Sequence, residues 1–71
     1  MDFPQRLKEL RKTKHATQKQ TAVAIGTLEQ NYQRYERGTQ QPTLPTLIAL
    51  ADFFDVSLDY LVGRSDDPKR R

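Results

Sequence analysis

Apolar residues recur along this chain at spacings of three and four, the period of one helical face, and no segment alternates apolar and polar residues between hairpin turns. Phe3, Leu7 and Leu10 mark the first such face. Asp2 with Gln5 three residues on has the form of a capping box, and Pro4 falls in the first turn, where its missing N–H breaks no intrahelical bond. This helix is predicted to run to about Lys14. Thr17 with Gln20 signals a second start, for a helix over 18–25 that Gly26 ends, since glycine reaches the left-handed conformation without a side-chain clash. A third helix then begins near Leu28 and stops before Gly38. Residues 39–42 have turn composition, and Thr43 caps a fourth helix with Pro45 in its first turn and an inward stripe of Leu44, Leu47, Leu50, Ala51 and Phe54. Val56 and Ser57 open a last short helix ending at Gly63, with Leu58, Leu61 and Val62 available for packing. The pattern predicts an all-α fold, a compact five-helix bundle with short connections.

The third helix carries the most informative pattern. At about 100° per residue, Leu28, Tyr32 and Tyr35 cluster on one side, while Glu29, Gln30, Gln33, Arg34 and Arg37 fill a continuous arc of about 140° opposite. Those polar types match base edges in a DNA major groove: Gln pairs with adenine N6 and N7, Arg with guanine O6 and N7, and Glu accepts from cytosine N4. An ordinary solvated helix face has the same composition, so the arc alone leaves both readings open.

Composition narrows the classes. At 71 residues there is room for one domain, 35% hydrophobic content is too high for a disordered tail, and no apolar run approaches the ~18 residues that span a bilayer. Residues 1–64 read as the folded domain and 65–71 as a flexible, polar tail that holds Lys69, Arg70 and Arg71. A net charge of +3 suits a polyanionic partner without specifying one. Mixed charges at the start of the chain give no leader pattern, so a cytoplasmic protein is expected. Cysteine is absent and His15 is the single histidine, in a polar stretch between the first two helices. The acidic residues are scattered, apart from Asp66 and Asp67. No nucleophile with a base, carboxylate pair, metal cluster or phosphate-cradling loop is visible, so the chain is expected to be no enzyme and to need no cofactor, metal or small-molecule ligand.

The order helix, short turn, helix over residues 17–37 is the arrangement that sets a recognition helix in the major groove. The segments Arg6-Leu7-Lys8-Glu9-Leu10-Arg11, Thr17-Gln18, Ala22, Gly26, Arg34-Tyr35-Glu36-Arg37-Gly38, Pro42-Thr43-Leu44, Thr46-Leu47, Leu50-Ala51 and Val56-Ser57-Leu58-Asp59-Tyr60-Leu61 closely resemble the phage-repressor and Cro-like (lambda-repressor-like) helix-turn-helix family, over roughly residues 3–65. The resemblance implies a transcriptional regulator, a repressor first, that binds double-stranded DNA with helix 28–37. It implies base contacts from Glu29, Gln30, Asn31, Gln33 and Arg34. Gln18 and Lys19, at the positive end of the second helix, are placed to hold a phosphate, and Thr39 and Gln40 to touch the backbone beyond the recognition helix. Arg37 either reaches a phosphate or offsets the helix dipole. Arg11 and Glu36 match positions that form a structural ion pair in the family.

Family members commonly dimerise so that two recognition helices meet successive major grooves about 34 Å apart. A homodimer on an inverted-repeat operator is therefore expected, through the last helix with Leu58, Tyr60 and Leu61, although Leu58 and Leu61 serve equally well as internal packing. The rival reading is an antitoxin or adaptor of the same fold whose main partner is another protein, with Val23 and Ala24 facing it. Three positions depart from the family pattern: Thr21 replaces a leucine, Leu28 a polar helix cap, and Tyr32 a smaller β-branched residue. Thr27 with Gln30 is expected to supply the missing cap one residue early.

Overall fold

The computed structural model describes residues 1–70, and among them are five α-helices and no strand. These are α1 (Phe3–Thr13), α2 (Gln18–Ile25), α3 (Glu29–Arg37), α4 (Leu44–Phe54) and α5 (Leu58–Leu61). Four of the five starts are capped by a side chain on the residue before the helix. Asp2 Oδ1 accepts from the Gln5 N–H at 3.1 Å, Thr43 Oγ1 from Thr46 at 3.4 Å and Ser57 Oγ from Tyr60 at 3.0 Å. At α2 the box is reciprocal: Thr17 Oγ1 accepts from the Gln20 N–H, and Gln20 Oε1 from the Thr17 N–H, both at 2.9 Å.

The exception is α3, where Leu28 occupies the cap position in extended backbone and offers no acceptor. The expected substitute at Thr27 does not form, because Thr27 is committed to the helix before it. Its N–H closes the end of α2 on the Ala22 carbonyl at 3.0 Å, with Gly26 in the left-handed region at φ 75° between them. The same closure ends α1 at His15 (φ 59°) and α4 at Asp55 (φ 55°), where no glycine is present.

The packing places α1 against α3 and α5, α2 against α3 and α4, and α4 against α5. Leu7, Ala22, Tyr32, Tyr35, Leu50, Ala51, Val56 and Leu61 form the buried core, flanked by the half-buried Phe3, Leu10, Ile25, Leu47, Phe54 and Tyr60. Each fully buried leucine contributes about 1.5–3 kcal/mol relative to exposure, so a core this thin depends on every one. Thr21 is also wholly buried, and its hydroxyl donates to the Thr17 carbonyl at 2.9 Å, so the polar group in a leucine position is satisfied.

Two apolar assignments are corrected. Leu28 is 66% exposed rather than grouped with Tyr32 and Tyr35, and Leu44 is 62% exposed rather than part of the inward stripe. Each stands at the start of its helix, Leu28 as the extended cap residue before α3 and Leu44 as the first residue of α4, so the regular helical phase is a poor guide there. The last helix ends two residues before Gly63, at Leu61, and Leu61 itself is wholly buried, which removes it from the candidate dimer surface. Residues 65–70, expected as a flexible tail, lie against α4 and the start of α5. Arg70 donates to the Ala51 carbonyl at 3.0 Å and to Asp52 at 2.5 Å, while the Pro68 carbonyl accepts from the Ser57 N–H at 3.1 Å. Arg71 lies outside the described residues.

Candidate nucleic-acid interface

Helix α3 is held from one side and open on the other. Tyr32, Tyr35 and Glu36 are buried, with the tyrosine rings edge to face at 6.4 Å, whereas Glu29, Gln30, Arg34 and Arg37 are exposed and Asn31 and Gln33 half-buried. The exposed row holds four of the five residues of the polar arc read from the sequence, and the fifth, Gln33, is half-buried. Within it, Arg34 Nη1 donates to Asn31 Oδ1 at 3.4 Å and Gln33 Nε2 to Glu29 Oε2 at 3.5 Å, so the long side chains support one another.

Behind the row runs a connected polar chain. Arg11 grips Glu36 as a fork, Nε to Oε2 at 2.5 Å and Nη2 to Oε1 at 3.2 Å, and its Nη1 donates to the Ala16 carbonyl at 3.0 Å. Gln18 Nε2 donates to the same carboxylate at 3.2 Å, and Gln18 Oε1 accepts from Gln33 Nε2 at 3.3 Å. The side chains of Glu36 and Arg11 are 2% and 15% exposed, so this is an ion pair largely withdrawn from water. Burial pushes the Glu36 carboxyl up, but the hydrogen bonds led by Arg11 outweigh it and hold the group below its ordinary value. Arg11 is raised in turn by Glu36. The Tyr32 hydroxyl lies in the same pocket, close enough to feel both charges but without a hydrogen bond of ordinary geometry. Burial pushes it far above the ordinary phenol range, so it stays neutral.

The other sequence-assigned residues fall around this row. Lys19 is exposed on the first turn of α2, beside the half-buried Gln18. Beyond the last turn of α3, Thr39 and Gln40 are exposed, and Thr39 is pinned to the Arg34 carbonyl through its N–H at 3.0 Å and its hydroxyl at 3.4 Å. On α5, Leu58 is exposed and Tyr60 half-buried. The sequence reading had no role for Arg6, yet it is 5% exposed and joins α1 to α5: its guanidinium carbon lies 3.7 Å from the Tyr60 ring centre, and Nη1 donates to the Tyr60 carbonyl at 3.1 Å. Nor did it connect Gln18 to Glu36 and Gln33. Those partners lie 18 and 15 residues away, with no local spacing to betray them.

Two helices within residues 18–37 are thus joined by a three-residue turn, and the second exposes a polar row. This sequence matches the helix-turn-helix family over residues 7–61. The chain belongs to that family. Among relatives, the HTH-type transcriptional regulator YobD of Bacillus subtilis is 44% identical over 66 residues, covering 93% of this chain and 59% of YobD. The cryptic phage CTXphi transcriptional repressor RstR of Vibrio cholerae is 39% identical over 64 residues, covering 90% of this chain and 57% of RstR. The chain thus spans little more than half the length of either. In three dimensions this helix-turn-helix chain is similar to the P22 c2 repressor crystallised with a synthetic operator, at a TM-score of 0.86 and 23% identity, covering 92% of this chain and 98% of that one. The neighbour establishes the fold as the all-α, repressor-like bundle.

Proposed function

We propose that this chain binds double-stranded DNA sequence-specifically as the DNA-binding part of a transcriptional regulator, a repressor first, with α3 entering the major groove. One observation carries the reading: α3 exposes Glu29, Gln30, Arg34 and Arg37, with Gln33 half-buried beside them, while Tyr32, Tyr35 and Glu36 fix its opposite side. In this reading Glu29, Gln30, Asn31, Gln33 and Arg34 meet base edges, and Gln18, Lys19, Arg37, Thr39 and Gln40 meet phosphates. The role is binding without catalysis, exercised in the cytoplasm. No helix among the described residues is long and apolar enough to cross a membrane. The partner is an inverted-repeat operator met by a homodimer, formed at the α5 end with Leu58 and Tyr60 and with Ile48, 44% exposed, lining the same cleft as Leu58. The names of YobD and RstR support the regulatory role.

Selection of bound duplexes from a random pool tests this directly. One inverted motif is expected to be enriched, with affinity that falls steeply as salt rises. Lys19→Ala should weaken cognate and scrambled duplexes alike, whereas Arg34→Ala should cost about 1–3 kcal/mol on the cognate alone. Equal affinity of the intact chain for cognate and scrambled duplexes overturns the proposal. A second reading rests on Val23, 71% exposed, and its exposed neighbour Ala24, as residues that face another protein. Salt-insensitive capture of a protein with no duplex enriched would favour it.

A further inference from the structure

The polar chain behind α3 has a direction. Glu36 is ionised, so its carboxylate only accepts, and Gln18 must present its amino end to it. The carbonyl end of Gln18 therefore faces Gln33, and Gln33 must present its own amino end in reply. That amino group also points at Glu29, a second acceptor. Two acceptors thus face the amino end of Gln33, at 3.3 and 3.5 Å. Its Oε1 has no partner among the described residues and is not wholly buried, since the Tyr32 hydroxyl is the only wholly buried side-chain polar atom left unpaired among them. An amide is ordinarily ambiguous in orientation; here the carboxylate at one end of the chain settles it for every member.

We infer that Gln33 reads DNA through a single acceptor, its Oε1, with Gln18 as the positioning residue that keeps the amide from turning. This inference rests on the proposed docking of α3 in the major groove. There, adenine and cytosine present an amino hydrogen, while guanine and thymine present acceptors only. A lone acceptor therefore separates A and C from G and T and does not separate A from C. The arrangement revises the expectation of a paired adenine contact: donation to adenine N7 needs an N–H that Gln18 and Glu29 already hold. Gln18 keeps one amino hydrogen beyond the one given to Glu36, so holding Gln33 leaves it able to meet a phosphate.

The experiment uses the selected duplex, with the base pair that Gln33→Ala relaxes taken as the Gln33 position. At that position adenine is replaced either by purine, which lacks the 6-amino group, or by 7-deazaadenine, which lacks N7. For the unaltered chain, purine should weaken binding on the order of tenfold and 7-deazaadenine should leave it unchanged, with cytosine tolerated in place of adenine. In Gln18→Leu the freed amide can turn, and the loss with 7-deazaadenine should appear. Each comparison is a ratio on one protein, so any phosphate bond that disappears with Gln18 cancels. Equal losses with the two analogues in the unaltered chain overturn the inference, as does a Gln18→Leu pattern identical to that of the unaltered chain or a Gln33→Ala variant with unchanged base preference. In those cases a duplex is still selected and the proposed function stands. Failure to enrich any duplex overturns both.

Discussion

Two arginines of α1, five residues apart, are taken out of water, and the chain compensates them differently. Arg11 meets a buried carboxylate at the α1–α3 junction. Arg6, at the α1–α5 junction, meets the face of Tyr60 and its carbonyl, with Met1 Sδ at 3.4 Å and, among the described residues, the fully exposed Asp66 as its counter-charge, 3.7 Å away. A ring face and a carbonyl hold a cation in place and pass nothing on. A carboxylate also accepts from further donors, so the Arg11 junction extends through Gln18 to the exposed edge of α3 while the Arg6 junction ends where it begins. The first junction sets the orientation of a surface. The second sets the position of a short helix.

The largest effect expected follows from breaking the carboxylate junction. Arg11→Ala leaves Glu36 buried and unpaired, a situation that typically costs about 3–5 kcal/mol, measurable as a shift in the urea unfolding midpoint. Under conditions where the variant remains folded, its base preference at the Gln33 position should broaden as well, because the carboxylate that orders Gln18 has lost its main support.

Arg6→Ala should cost less, about 1–2 kcal/mol, from the missing cation over the ring and the absent packing of its stem against α5. Its preference among duplexes should stay that of the unaltered chain even where affinity changes. Should Arg6→Ala prove as destabilising as Arg11→Ala, or alter base preference in the same way, the distinction between a junction that anchors and one that transmits would collapse.

The two junctions were also unequally legible. Arg11 and Glu36 were paired from the family resemblance, and the polar arc of α3 followed from helical phase alone, because amphipathicity is written locally. The capped starts at Asp2, Thr17 and Thr43 were legible because a cap and its partner lie three residues apart. Helix ends at Gly26 and Gly38 were announced by glycine, whereas His15 and Asp55 take the same left-handed turn without it, since closure onto the Arg11 and Ala51 carbonyls fixes them there. Leu28 and Leu44 misled because regular helical phase is a poor guide at the start of a helix. Arg6 with Tyr60, 54 residues apart, and Arg70 folded onto Asp52 left no periodic trace at all.

Acid gives the gentlest test of the contrast, since only one junction contains a buried carboxylate. Folding holds the Glu36 carboxyl below its ordinary 4.5, so in acid the unfolded chain binds a proton that the folded chain resists. The resulting stabilisation is complete above pH 4.5 and is lost as pH falls through the folded value. Unfolding midpoints recorded from pH 7 downward should therefore decline below about pH 4.5. Glu36→Gln, which has no carboxyl to protonate, should show a shallower decline from its own lower starting stability. Arg6→Met should keep the steeper slope, because the carboxylate nearest Arg6 is Asp66, fully exposed and 3.7 Å away. A Glu36→Gln profile parallel to that of the unaltered chain would mean that the acid limb is set by other carboxylates and that the Arg11 junction stores no charge-dependent stability.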